Sequence, residues 1–131
     1  METQLQSTLP YVRTQEINGV VFSHIDLEKY TMRFTYPTAG RVIGAIHDRV
    51  AESHSTLPVL TIGYVSDMVI VRATQPVLPV ETMIKNLQKA LPGANVDGGG
   101  HECAGTLKFV NAHLQEVIEN IKQQVKDIQH E

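Results

Sequence analysis

The residues best suited to chemistry fall in one short run, Val96-Asp97-Gly98-Gly99-Gly100-His101-Glu102-Cys103-Ala104-Gly105. Three consecutive glycines cost conformational entropy on folding, so they mark backbone that takes positive φ or lets another molecule come close. Successive N–H groups in such a turn can point into one concavity and bind an anion. No side chain at 98–100 blocks the approach. His101 follows at once, with two ring nitrogens that can offer a phosphate oxygen a hydrogen bond or an imidazolium charge. Ala104 and Gly105 are small enough for the chain to pack tightly behind the site. The competing reading is a mobile surface loop with an incidental histidine, because a glycine run without a supporting motif is weak evidence.

Other candidates are thinner. Arg72 lies inside an otherwise apolar run, Met68 to Thr74, which it does not fit. Cys103 next to His101 suggests a nucleophile, but a small buried residue behind the loop is the simpler reading. Glu102 would repel a phosphate and is placed outward. His101-Glu102 is not an H-E-x-x-H zinc motif, since position 105 is glycine. His47-Asp48, with His24 upstream, evokes an H…HD…D metal phosphohydrolase. Such proteins are all-helical and this chain reads as half strand, so His47 and Asp48 are assigned to a helix surface. There is no D-H-H run, and ligands for a two-metal hydrolytic site cannot be assembled from these residues.

The whole chain limits the function classes. Its 131 residues suffice for one domain with a real core. Apolar residues make up 42% and charged residues 19%, a globular balance, and the net charge of −3 excludes a broadly basic duplex-binding surface. The single cysteine, Cys103, rules out an internal disulfide and fits a reducing cytoplasm. The first ten residues do not read as a signal peptide. No run approaches the roughly 18 apolar residues that span a bilayer, so no membrane partner is expected.

These residues must be positioned by elements that the pattern also suggests. Residues 1–16 are polar and mixed and read as an arm or linker, leaving 17–131 as the domain. Asn18-Gly19 is a turn. Strands are expected at 19–26 and, from clean alternation, at 30–36. A helix capped by Thr38 runs to about His54, with Val42, Ile43, Ile46 and Val50 inward. Gly40 and Gly44 would let it sit close to a sheet. Strands 57–65 and 68–74 form a hairpin around Ser66-Asp67. Val80, Met83, Ile84, Leu87 and Leu91 mark one helix, which Pro92-Gly93 ends. The loop at 97–105 follows, then a short strand with Leu107, Phe109 and Val110. Asn111 caps a last helix with Leu114, Val117, Ile118, Ile121, Val125 and Ile128 as its stripe. The sum is a single α/β domain, a mixed sheet of about five strands flanked by three helices.

Gly98-Gly99-Gly100-His101-Glu102-Cys103-Ala104-Gly105 resembles the G-G-G-H-x-x-A-G signature of the DHH-associated domain. That domain is the C-terminal part of DHH-family phosphoesterases, which include RecJ-like single-strand nucleases and oligonucleotide or cyclic-dinucleotide phosphodiesterases. The context is similar as well: a strand ending in arginine (Val69-Ile70-Val71-Arg72), a helix, the glycine run, a strand and a terminal helix. Gly44 to Leu60 resembles the helix and the Pro-Val-Leu strand of RecJ-like chains. The resemblance covers roughly residues 40–128 and does not reach 1–36.

It implies that Gly98, Gly99, Gly100 and His101 cradle a substrate phosphate and that Arg72, otherwise a salt-bridge partner at a sheet edge, adds a guanidinium, with Ala104 and Gly105 supporting the loop. It also implies that Mn or Mg sits in an associated DHH catalytic domain, in cis or in trans, and that this chain supplies no catalytic residue. The implied partners are single-stranded nucleic acid or a short oligonucleotide, and replication or repair proteins. The alternative is a non-catalytic interaction module that docks a catalytic subunit or a replication assembly.

Overall fold

Asn18 and Gly19 both take positive φ, 53° and 75°, the pairing that a two-residue type I′ hairpin requires. The turn joins β1 (Arg13–Ile17) to β2 (Val20–Asp26) antiparallel, with Ile17 opposite Val20. The Asn18 amide lies 3.2, 3.1 and 2.7 Å from the carbonyl oxygens of Val125, Lys126 and Ile128. The first hairpin is thereby tied to the end of the last helix. This is a computed structural model, and it describes residues 9–27, 39–54 and 56–128. The strand expected at 30–36 and the Thr38 cap lie outside the described residues.

β1 replaces the expected arm over residues 13–16 with a strand. Four of its five residues are exposed, because it is the outermost strand of the sheet. A strand so placed carries no apolar alternation for sequence reading to detect.

α1 (Ala39–Ser53) leads from β2 to β3 (Val59–Val65), which pairs parallel to β2. β4 (Met68–Ala73) returns antiparallel through the Ser66-Asp67 turn. α2 (Val80–Ala90) follows, then β5 (Asp97–His101), β6 (Ala104–Lys108) and α3 (Leu114–Lys126). The strand order is β1-β2-β3-β4-β6-β5. The result is the expected α/β domain with a mixed sheet; the described residues form three helices and six strands where about five strands were expected. The glycine run and β1 add two strands, while the one expected at 30–36 is not among the described residues. Asn111–His113 forms a short 3-10 turn before α3, with no side-chain cap.

Helices cover both faces of the sheet. On one, α2 and α3 bury Met83, Leu87, Val117 and Ile121 against Phe22, Leu60, Val71 and Leu107. On the other, α1 buries Val42, Ile43 and Ile46 against Ile25, Val65 and Ile70. These helical stripes are the ones expected from their spacing of three and four. The close approach of helix to sheet does not occur at Gly44, where an added Cβ would meet nothing within 4 Å. It occurs at buried Gly63 on β3, where a Cβ would overlap the Ile43 side chain. The small residue at this contact is on the sheet, so Gly44 gave a false clue.

Candidate functional site

The glycine run is a strand, not a loop. β5 and β6 form a hairpin turned by Glu102-Cys103, with Gly98 opposite Leu107, Gly100 opposite Gly105 and His101 opposite Ala104. Gly98 and Gly100 take φ of 149° and 154°, a conformation open to glycine and poorly tolerated by other residues. A Cβ at Gly98 would overlap the Thr106 carbonyl oxygen, and one at Gly100 the Ala104 carbonyl oxygen. At Gly105 it would come 2.7 Å from the Gly99 oxygen and 2.8 Å from Val80 Cγ1. All three are demanded by the packing of the hairpin. Gly99 is different: a Cβ there meets nothing within 4 Å. Its bareness serves no contact within the fold.

β5 is an edge strand with all five residues exposed, so about half its backbone groups face away from β6. The donors available to an anion are those of a strand edge, not of a turn.

Sheet register assembles the rest. Arg72 pairs with Ala104 and Ala104 with His101; Ile70 pairs with Thr106 and Thr106 with Gly99. Directly opposite residues share a face, and Ile70 belongs to the α1 side. Arg72, Ala104, Thr106, Gly99 and His101 therefore lie on that side. There α1 packs on β3 and β4, while α2 covers β5 and β6 from behind. Among the described residues the α1 side of the hairpin carries no helix. It is an open platform of small residues, with Gly99 at its centre and Arg72 and His101 at its margins. Two strand spacings separate the Arg72 and His101 backbones, roughly 10 Å, a gap that two side chains and one phosphate can fill.

Arg72 is half-buried on β4, an interior strand, which removes the reading as an edge salt bridge. Its Nη1 donates to the Val71 carbonyl at 3.0 Å, and among the described residues it faces no carboxylate partner. His101 is exposed at the end of β5. With Gly100, Glu102, Cys103, Pro79, Glu81 and Thr82 it also lines a cleft of about 600 Å³ at the hairpin's end beside the start of α2, a cleft that includes neither Arg72 nor Gly99. Glu102 is exposed, as expected. Cys103 is half-buried in the turn itself, not enclosed behind it; its backbone oxygen accepts the Ala73 N–H at 2.8 Å.

His47 overturns its assignment to a helix surface. It is 8% exposed, and its Nδ1 lies 2.8 Å from Thr61 Oγ1. Burial, first of all, pushes its pKa below the ordinary value; the Arg72 charge adds to this and Asp48 opposes it. Thr61 in turn accepts a hydrogen bond from Ser23 Oγ at 2.8 Å. Sequence reading missed this cluster. The available signal was a hydroxyl residue in the middle of each apolar strand, Ser23 in Val-Val-Phe-Ser and Thr61 in Val-Leu-Thr-Ile. His24 sits on the opposite face with Phe22 and Tyr64, ring centroids 5.6 and 6.4 Å away. Its pKa is lowered by burial and then by Lys122 and Arg13, against Glu119. His24 and His47 are thus divided by the sheet and do not form one metal site. Among the described residues no three His, Cys, Asp or Glu side chains converge on a metal position, and no helix is long and apolar enough to cross a membrane.

The fold is similar to those of a solved DHH-domain protein and of RecJ, which supports reading it as a DHH-associated, RecJ-like domain. The solved structure of a member of the s1p family of ribosomal proteins, the PF0399 DHH domain, matches with a TM-score of 0.93 and 33% identity, over 98% of this chain and 31% of that one. The uncharacterized protein MJ1198 of Methanocaldococcus jannaschii is 33% identical over 135 residues, 98% of this chain and 18% of that protein. RecJ from Thermus thermophilus, in complex with Mg2+, shares the fold at a TM-score of 0.59 and 15% identity, over 95% of this chain and 17% of that one. Exonuclease RecJ bound to manganese gives 0.55 and 16%, over 98% of this chain and 28% of that one. The chain thus spans under a third of the length of each of these relatives. No family model matches the sequence.

Proposed function

We propose that this chain is the substrate-binding part of a RecJ-like DHH phosphoesterase, holding a phosphate of single-stranded nucleic acid or of a short oligonucleotide. Gly98, Gly99, Gly100 and His101 form the cradle and Arg72 supplies the charge. Ala104 keeps the floor low, and Gly105, on the other face, lets the hairpin pack against Val80 of α2. One observation carries this reading: Gly99 is bare where the fold does not require it, at the centre of a platform that no described helix covers, between an arginine and a histidine. Arg72 is suited to paired contacts with phosphate oxygens, and His101 can donate to a third. Phosphodiester hydrolysis belongs to a DHH domain that supplies Mn or Mg, in cis or in trans, and we derive no hydrolytic step within this chain.

The test is titration of the chain with 5′-phosphorylated tetrathymidylate, followed by NMR. Shifts are expected at Gly98 to His101 and at Arg72. The chain alone, given Mn²⁺ and a labelled single strand, is expected to bind and not to cleave; cleavage that survives chelator-controlled repurification overturns this division of labour. A second reading, a module that docks a catalytic subunit or a replication assembly, draws support from the carboxylates Glu81 and Glu102 at the cleft beside His101. Under it, the oligonucleotide moves no resonance near the hairpin.

A further inference from the structure

Beside Arg72 the α1 face holds a chain of buried polar groups that a bare phosphate cradle does not require. Ser23 and Thr61 are fully buried and His47 nearly so. Ser23 pairs with Thr61 and Thr61 with Arg72 in the sheet register, so these three lie in one row, with His47 reaching down from α1 onto Thr61. Thr61 Oγ1 accepts from Ser23, which leaves its own proton for His47 Nδ1. The imidazole is then neutral, with its hydrogen on Nε2. Burial first, and then the Arg72 charge, favour this neutral form, against the opposing Asp48 carboxylate. Apolar side chains of similar size would fill this space at less risk, since a buried polar network is costly unless every member is satisfied.

The neighbourhood suggests what the network achieves. A carboxylate at position 47 would take the Arg72 guanidinium as a salt bridge, and an imidazolium would repel it. A neutral imidazole, held by the Thr61 hydroxyl that Ser23 in turn fixes, does neither. We propose that His47, fixed through Thr61 and Ser23, is a positioning residue that keeps the Arg72 guanidinium in place and unneutralised beside Ala104, reserving its charge for the substrate phosphate. This rests on the assignment of Arg72 to phosphate binding.

The experiment measures affinity for 5′-phosphorylated tetrathymidylate across a range of salt concentrations. The proteins are wild type, His47→Leu, Thr61→Val, Arg72→Ala and the His47→Leu/Arg72→Ala double variant. His47→Leu and Thr61→Val are each expected to weaken binding about tenfold, the loss of one well-aligned contact. Each should flatten the salt dependence by about 0.7, one phosphate contact to a single strand, as Arg72→Ala does. The double variant should bind no more weakly than Arg72→Ala, because the two act as one unit. His47→Asn, which can accept the Thr61 hydroxyl from near the Nδ1 position, should recover most of the loss. A His47→Leu protein that melts earlier but keeps wild-type affinity and salt slope overturns the proposal, as does a double variant showing both losses in full. Should His47→Leu fail to fold, Thr61→Val decides by the same readouts. If wild type itself binds without shifts at Gly98 to His101 and Arg72, the phosphate-site reading falls first, and this inference with it.

Discussion

Substituting the three consecutive glycines one at a time separates what the fold needs from what a ligand needs. At Gly98, alanine must hold φ near 149° with its Cβ on the Thr106 carbonyl oxygen and 2.9 Å from Leu107 Cα. Backbone strain of this kind costs about 1–3 kcal/mol, and the overlap with fixed backbone adds to it. A loss of about 3 kcal/mol lowers the melting temperature of a domain this size by roughly 10 °C. Gly100→Ala should behave alike, since its Cβ meets the Ala104 carbonyl oxygen. Gly99 meets nothing within 4 Å and is exposed. Gly99→Val should therefore change stability by no more than about 0.5–1 kcal/mol, in either direction, with β-propensity favouring valine. Its isopropyl group occupies the space in which a phosphate oxygen would sit about 2.9 Å from a strand N–H. Losing one or two charge-assisted hydrogen bonds, about 1.5–3 kcal/mol each, weakens binding at least tenfold. Thermal melts by circular dichroism and the tetrathymidylate titration measure both quantities. A Gly99→Val protein that melts normally and binds normally refutes the platform. One that melts as low as Gly98→Ala refutes the division of roles among the glycines.

Three further outcomes follow from the geometry. Gly63→Ala places a Cβ on the Ile43 side chain and should cost about 1–3 kcal/mol, seen as a lower urea midpoint with unchanged slope. Arg72→Lys should lose most of the affinity that Arg72→Ala loses, because an ammonium cannot reproduce the paired contacts of a guanidinium; titration calorimetry reads this. The lowered pKa values of His47 and His24 mean that the unfolded chain binds protons which the folded chain refuses. Their stabilising effect is complete above the unfolded value near 6.5 and is lost as pH falls from there through the lowered folded values. Melting temperature should drop across that acid window, and less steeply in His47→Asn.

The sequence made legible whatever a regular apolar period exposes. Both described apolar helix stripes on the α2–α3 side, and that of α1, stand where their spacing put them, and the β3–β4 hairpin is where two apolar runs met a short polar break. The glycine-histidine run carried the family resemblance, yet it forms a strand where a loop was expected. Glycine is scarce in strands, and only its pairing with β6 reveals Gly98 and Gly100 as extended backbone in a region other residues avoid. β1 was invisible because an exposed edge has no buried side to write a pattern. His47 was misread for a related reason. A histidine on a helix reads as surface until a hydroxyl is found beneath it, and Thr61 is fourteen residues away in sequence. Contacts across the sheet, such as Arg72 to Ala104 to His101, are set by strand order and register, which local periodicity does not encode.

The Asn18 clasp has a consequence for biosynthesis. Its acceptors lie 107 to 110 positions further along the chain, so the opening hairpin leaves the ribosome long before the groups that fasten it exist. Until they arrive, the turn between β1 and β2 lacks the carbonyls that fasten it to the body of the domain. Assembly of this domain is therefore completed late, by its last helix, and premature release during translation should yield an aggregating product rather than a smaller working one.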